Sequence, residues 1–345
     1  EQGGRARAEL LSAPIPVRDG GTSATGSVCD LAYDGTGRIH LIFRDDTHPS
    51  LWYGTWNGTS WSLEFVDGMG FNVGGQVGER MTLAVDPSNN PHVVYTLDGK
   101  LSYATKSAGT WTKERVDTQT PLADTRFSLA LNPAQSNRAT VAYQGYVSGS
   151  YRVVFAHRTG PGAWTQTATT FPGSTSSQYL AGDLLINATG VLHVPYYVSG
   201  SPYYAHLGAV SGTTASSFSL NPNDQNSGFN AGWTSAAWNG ANRILLRTYQ
   251  GLFDVTVGSP LSSSTFTHSI VEASGTSHGD IAAAGGKPYL LHMHGSSFEI
   301  VSTGTGNYWS YTQVGSGGSG RFALAVNSAG VASICYQSNG RIFFQ

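Results

Sequence analysis

The stretch MTLAVD (81–86), PHVVYTL (91–97), LSYATKS (101–107) and WTKERVD (111–117) decides the fold. Its four apolar runs are short, rich in β-branched and aromatic residues, and separated by turn residues such as Pro87-Ser88-Asn89-Asn90 and Asp98-Gly99. Such runs read as strands joined by tight turns. The block recurs on both sides. Before it stand CDLAYD (29–34), IHLIFRD (39–45), LWYGTWN (51–57) and WSLEFVD (61–67). After it stand FSLALN (127–132), RATVAYQ (138–144), YRVVFAHR (151–158) and WTQTATT (164–170). Weaker copies follow around DLLIN (183–187), SAAWN (235–239), IAAAG (281–285) and FALAVN (322–327). The residues closing each first strand are Asp34, Asp86, Asn132, Asn187, Asn239, Gly285 and Asn327, with a mean spacing near 49. Four strands per repeat and seven repeats predict an all-β, seven-bladed β-propeller.

Composition agrees. Charged residues make only 12% of the 345, while 44 Gly and 11% aromatics point away from both disorder and helix. The formal net charge of −2 leaves no basic footprint, so no nucleic-acid partner is expected. No apolar run reaches the roughly 20 residues of a membrane helix. A chain opening at Glu1 without Met, low in Lys and rich in Ser, Thr, Gly and Asn, fits a secreted or periplasmic protein whose leader is removed.

The termini carry a second expectation. Only 18 residues follow Asn327, enough for two strands, so the seventh blade lacks its fourth. The segment LLSAPIPVRD (10–19) would supply it, closing the ring with an N-terminal latch strand within one domain spanning 1–345. Cys29 lies in the first blade and Cys335 in the last, neighbours only if that ring closes. They are read either as a latch disulfide or as two buried thiols.

The pattern HVVY … LSYAT … GTWTKERVD resembles the secreted bacterial propellers built from BNR-like, Asp-box-like repeats. The turn Ser107-Ala108-Gly109-Thr110-Trp111 keeps the Gly-x-Trp end of an Asp box and lacks its Asp. Proteins of this look include sialidase-like hydrolases, propeller polysaccharide lyases of the ulvan and rhamnogalacturonan type, rhamnosidases and lectins. The resemblance implies a carbohydrate ligand, either a polysaccharide or an oligosaccharide; the protein itself is expected to be a monomer.

Propellers bind ligands at the mouth of the central channel, lined by the turns between second and third strands and by the connections between blades. Residues that recur at one structural position are read as packing: His40, His92 and His193 on second strands, and Trp61, Trp111 and Trp164 opening fourth strands. Arg80, Arg126 and Arg321 each precede a first strand and are expected to encircle the channel, where planar guanidiniums suit a carboxylate. The bland alternative pairs each with a loop acid such as Glu79 or Asp124. Residues that break the repeat are Arg44 and His48 in the blade-one turn, Arg247, Tyr249 and Trp233 around blade five, Tyr196 and Tyr197 in blade four, and His278, His292 and His294 in blade six. The three His could hold a metal ion, but no carboxylate completes the set, and no cofactor is expected. A lyase acting on uronate glycans needs a cation at the carboxylate and a base for the ring C–H, so Arg44 and Arg247 with Tyr249, His48, His278 and His294 are the candidate set. Tyr197 and Trp233 are candidate sugar contacts. A glycosidase needs two carboxyls, and few stand near the mouth: Asp45, Asp46, Glu79, Asp98, Asp280 and Glu272. The leading expectation is a polysaccharide lyase on an anionic glycan. A lectin-like propeller and a propeller glycoside hydrolase are the alternatives.

Overall fold

A computed structural model describes residues 7–8, 15–17, 25–68, 77–117, 126–171, 178–180, 182–198, 205–219, 235–240, 243–248, 251–257, 266–269, 279–294, 297–303, 309–316 and 322–345. The fold is the expected seven-bladed β-propeller, with seven sheets of sequential antiparallel strands. Blade one comprises Thr25–Tyr33, Ile39–Asp45, Ser50–Trp56 and Trp61–Gly68. Blade two follows with Val77–Val85, Pro91–Leu97, Lys100–Ser107 and Thr110–Arg115. Contacts divide the chain into two compact units, residues 1–121 with 274–345, and residues 122–273. The first carries blades one, two, six and seven; the second carries blades three, four and five.

Why these sequences make blades is visible in the second strand of blade one. Leu41 and Phe43 face one way, into a core with Cys335, Ile342 and Phe344 of blade seven. Ile42 faces the other way, into a core with Val93, Tyr95 and Ala104 of blade two. Both faces of the sheet are covered, so Leu41, Ile42 and Phe43 form a continuous apolar run instead of an alternating one. Each such side chain, fully removed from water, contributes about 1.5–3 kcal/mol.

In blades one, two, four and seven the residue closing the first strand acts through its side chain. Asp34 Oδ1 accepts the backbone N–H groups of Thr36 and Arg38 at 2.8 and 2.9 Å. Asp86 does the same for Ser88 and Asn90, Asn187 for Thr189 and Val191, and Asn327 for Ala329 and Val331. An Asx side chain substituting for a backbone turn is why Asp and Asn fill this column. Asp34 also meets His40 at 3.3 Å, and His40 Nδ1 lies 2.6 Å from the Tyr53 hydroxyl. An ionised carboxylate can only accept, so Nε2–H donates to Asp34 and Tyr53 donates to Nδ1. Blade two repeats the chain with Asp86, His92 and Tyr103. The His of this column is thus a packing residue.

A second column joins blade to blade. The first strand pairs on one side only, which leaves backbone N–H groups at its other edge. Asp30 Oδ2 accepts the Leu83 N–H at 2.8 Å, and Asp280 Oδ2 accepts that of Leu324 at 2.8 Å. In the second unit, Ser128 Oγ accepts from Leu184 and Asp183 Oδ2 accepts from Ala236, each at 3.0 Å. An edge N–H without such a partner would cost about 1–3 kcal/mol once buried.

Closure happens in the first unit. Ile15 and Pro16 pair antiparallel with Phe344 and Phe343, forming the outer strand of blade seven. The latch was expected over 10–19; its described strand is Ile15–Pro16, extended by a hydrogen bond from Val17 N to Ile342 O, and 10–14 with 18–19 lie outside the described residues. Pro16 suits an edge strand because it has no N–H to offer. The sequence reading missed Arg7–Ala8, which adds a parallel strand to blade six beside Tyr311 and Thr312. Gly26, at φ +82°, turns the chain into blade one where a Cβ would sit 2.6 Å from Ile342 Cβ. Cys29 and Cys335 form the disulfide, both sulfurs inside the core between blades one and seven.

Reducing that disulfide should lower the unfolding free energy by about 2–5 kcal/mol. Denaturant melts with and without reductant check this, and a Cys29→Ser/Cys335→Ser double variant should be insensitive to reductant. Equal stability in both redox states would contradict the stapling role.

Candidate functional site

The expected mouth of blade one is built largely to hold itself together. Asp45 Oδ1 caps the turn by accepting the N–H groups of Thr47 and His48 at 3.0 and 3.2 Å. His48 is exposed, its Nδ1 3.9 Å from Asp45 Oδ2. Arg44 Nη1 lies 3.3 Å from Asp46. Asp46 also accepts from the Ser27 N–H at 2.9 Å, from the Ser27 hydroxyl, and from Gln337 of blade seven at 3.4 Å. With Asp280 holding Leu324, three of the carboxylates counted for catalysis are thus taken up by the fold.

The other candidates are placed unevenly. Arg80 is half-buried within the first strand of blade two. Arg126 directly precedes the first strand of blade three, and its carbonyl accepts from Gln144 N at 3.3 Å. Arg247 and His294 sit on the second strands of blades five and six, opposite Ser235 and Ser297; their side chains lie outside the described residues, as do Tyr249, Trp233, His278 and Arg321 altogether. His292 is buried, with Nε2 3.5 Å from Glu299 across the strand pair. Among the described residues no three His, Cys, Asp or Glu come together to hold a metal. None of them forms a helix long and apolar enough to cross a membrane.

The structure gathers a different group in the second unit. Blade three ends its second strand at Val147 and resumes at Ser150, a hairpin whose Ser148 and Gly149 take positive φ of 51° and 84°. That turn pairs Tyr146 directly with Tyr151, their rings 5.1 Å apart and near edge-to-face. In blade four, Tyr179 opposes Tyr197, stacked at 4.9 Å with planes 12° apart. Tyr151 joins the two pairs by standing 5.3 Å from Tyr179. Tyr146 is 63% exposed and Tyr151 40%. Tyr196, by contrast, is buried between Phe171 and His206, and Phe171 reaches it over Gly208, where any Cβ would collide with the ring. Of the ladder, only Tyr197 was singled out from sequence. The missed signal is Tyr-Val-Ser-Gly-Ser-Tyr, two Tyr flanking a tight hairpin turn, where cross-strand pairing at the tip leaves both rings in solvent.

Electrostatics separate structural from solvent-facing groups. Burial works against ionising Asp34, yet the hydrogen bonds from Thr36, Arg38 and His40 prevail and hold it at about 2. His193 stands where His40 stands in blade one, but Asn187 replaces the Asp and Leu207 occupies the Tyr position. It is buried edge-on against Trp238, and burial lowers it to about 4.

No protein-family model matches the chain, and no curated protein does. Solved structures do. A streptogramin B lyase superposes with TM-score 0.62 at 10% identity, over 96% of this chain and 95% of that one. A prolyl endopeptidase gives 0.56 at 13%, over 92% and 46%. Trypanosoma rangeli sialidase gives 0.50 at 10%, over 98% and 59%. At such identities the likeness is one of fold.

Because the unfolded chain takes up the His193 proton near pH 6.5 and the folded chain only near 4, stability contributed by neutral His193 is full above 6.5 and falls toward 4. The loss should reach roughly 3 kcal/mol. Urea melts from pH 7 to 4 should show a His193→Leu variant losing less stability than wild type by that amount. Parallel losses would contradict the assignment.

Proposed function

We propose that this protein binds glycan chains and that the tyrosine ladder of the second unit is the surface on which it does so. The observation that carries the reading is the exposure of Tyr146 and Tyr151 in ring contact with one another and with Tyr179 and Tyr197. A contiguous exposed aromatic patch marks a binding surface. Tyr offers a flat face to the C–H groups of a sugar ring and a hydroxyl to its oxygens. The sialidase among the structural neighbours supports the reading only in that this architecture accommodates sugar chemistry. The disulfide supports secretion, since such bonds persist in oxidising surroundings.

The finer reading is elimination on an anionic, uronate-type chain. It takes Tyr249, His48, His278 and His294 as bases, Arg80, Arg126, Arg247 and Arg321 as carboxylate partners, and Trp233 as a further sugar contact. Arg44, matched by Asp46, we assign to the turn. Binding stands ahead of elimination because the ladder needs no charged group to work.

Affinity electrophoresis through gels containing neutral or uronate polysaccharides tests this. At least one should retard the protein, and Tyr146→Ala or Tyr151→Ala should each remove about 1 kcal/mol of binding, a roughly five-fold loss of affinity, while the protein stays folded with thermal unfolding lowered by only about 2–4 °C. Migration unaffected by every polysaccharide would overturn the proposal. A rise in enol-ether absorbance with a uronate chain would bring elimination to the front.

A further inference from the structure

Three Asn-Gly steps occur in the chain: Asn57-Gly58, Asn239-Gly240 and Asn339-Gly340. At such a step the glycine has no side chain to shield its amide nitrogen, which can attack the asparagine Cγ. The fold treats the three differently. Asn57 is exposed, but its Oδ1 accepts the N–H groups of Thr59 and Ser60 at 2.9 and 2.8 Å, and its Nδ2 donates to Ser60 Oγ at 3.2 Å. Asn239 is 5% exposed, out of reach of water, and its backbone N–H donates to Arg243 O at 2.8 Å. Asn339 is exposed, and its side-chain amide has no hydrogen-bond partner among the described residues. It opens the two-residue turn between Ala332–Ser338 and Arg341–Phe344, with Asn339 at φ 51° and Gly340 at φ 72°. Ser338 and Arg341 pair across that turn, which leaves the Gly340 N–H outside the strand ladder.

We propose that Asn339 is a site of spontaneous modification, deamidated through a cyclic imide, and that its isoaspartyl product loosens the junction of blades seven and one. The Gly340 nitrogen gives up its proton and bonds to Asn339 Cγ, and the side-chain nitrogen leaves as ammonia. Water then opens the imide. Cleavage of the new C–N bond gives aspartate. Cleavage of the original peptide C–N bond gives isoaspartate, whose main chain runs through Cβ and Cγ. A two-residue turn has no room for that added carbon, because its length sets the register of the strands it joins. The same turn holds the start of blade one: Gly340 O accepts the Thr25 N–H at 2.8 Å, and Gln337 Nε2 donates to Thr25 O at 3.1 Å. The site is separate from the tyrosine ladder and does not depend on what the ladder binds.

Ageing the intact protein in neutral and in mildly alkaline buffer, followed by peptide mapping and isoaspartyl methyltransferase labelling, tests the proposal. Asn339 should convert roughly ten-fold faster than Asn57, whose side chain must first give up its hydrogen bonds. Asn239 should stay intact. Conversion should speed up with pH, because the attacking nitrogen must lose its proton. Aged wild type should unfold at a lower temperature than fresh protein, whereas aged Asn339→Gln should not. Asn339→Asp, which carries the new charge without the extra carbon, should unfold with the fresh protein. Equal conversion at Asn57, or no isoaspartate at Asn339, would overturn the site. Aged wild type and Asn339→Asp unfolding at one temperature would overturn the effect on the junction.

Discussion

At four junctions a side-chain oxygen at the first strand of one blade accepts a backbone N–H from the first strand of the next, and the register of neighbouring blades within each unit depends on this contact. Hydrophobic burial between sheets is strong but has no direction, so by itself it lets blades slide or rotate. The hydrogen bonds from Leu83 to Asp30, Leu184 to Ser128, Ala236 to Asp183 and Leu324 to Asp280 fix the register within each unit. In blade four the first strand is broken into Gln178–Leu180 and Leu185–Ile186, and Asp183 stands in the break with its carboxylate turned to blade five. The same strand's N-terminal piece carries Tyr179. The stitch and the ladder are parts of one construction.

This use of acids shapes what the protein can do. Asp residues are consumed at three structural positions: closing the turn after the first strand, joining blades, and capping the blade-one turn. Asp34, Asp30 and Asp45 show the three in a single blade. Such carboxylates are oriented by the backbone, and Asp34 is in addition held ionised by its hydrogen bonds, which makes it a poor proton donor. The chain is low in charge to begin with, at 12% charged residues, and the proposed recognition surface accordingly uses aromatic side chains.

The fold was legible because its signals are local and repeated. Asx turn closers, apolar second strands and Trp-opened fourth strands recur at fixed positions, and the lone Cys pair fell on the two blades that closure brings together. The joining column was nearly periodic, with Asp30, Ser128 and Asp183 each four residues before a turn closer and Asp280 five, but its meaning is a contact roughly one blade away and no local rule reveals that. The ladder was half legible for a related reason. Tyr146 and Tyr151 are paired by their own hairpin, whereas their meeting with Tyr179 depends on how blade three stands against blade four. The single-residue candidates Arg44 and His48 looked distinctive because their turn is charged, and within it Arg44 lies 3.3 Å from Asp46 and His48 3.9 Å from Asp45. Asp280 looked like a mouth acid because its partner, Leu324, lies 44 residues away.

The most direct measurement is a crystal structure of the protein with the longest oligosaccharide it binds. The account predicts the bound sugar against the exposed rings of Tyr146 and Tyr151 beside Tyr179 and Tyr197, with the tyrosine side chains unmoved. A bound oligosaccharide seated at the blade-one turn around Arg44 and His48, with the ladder bare, would contradict it.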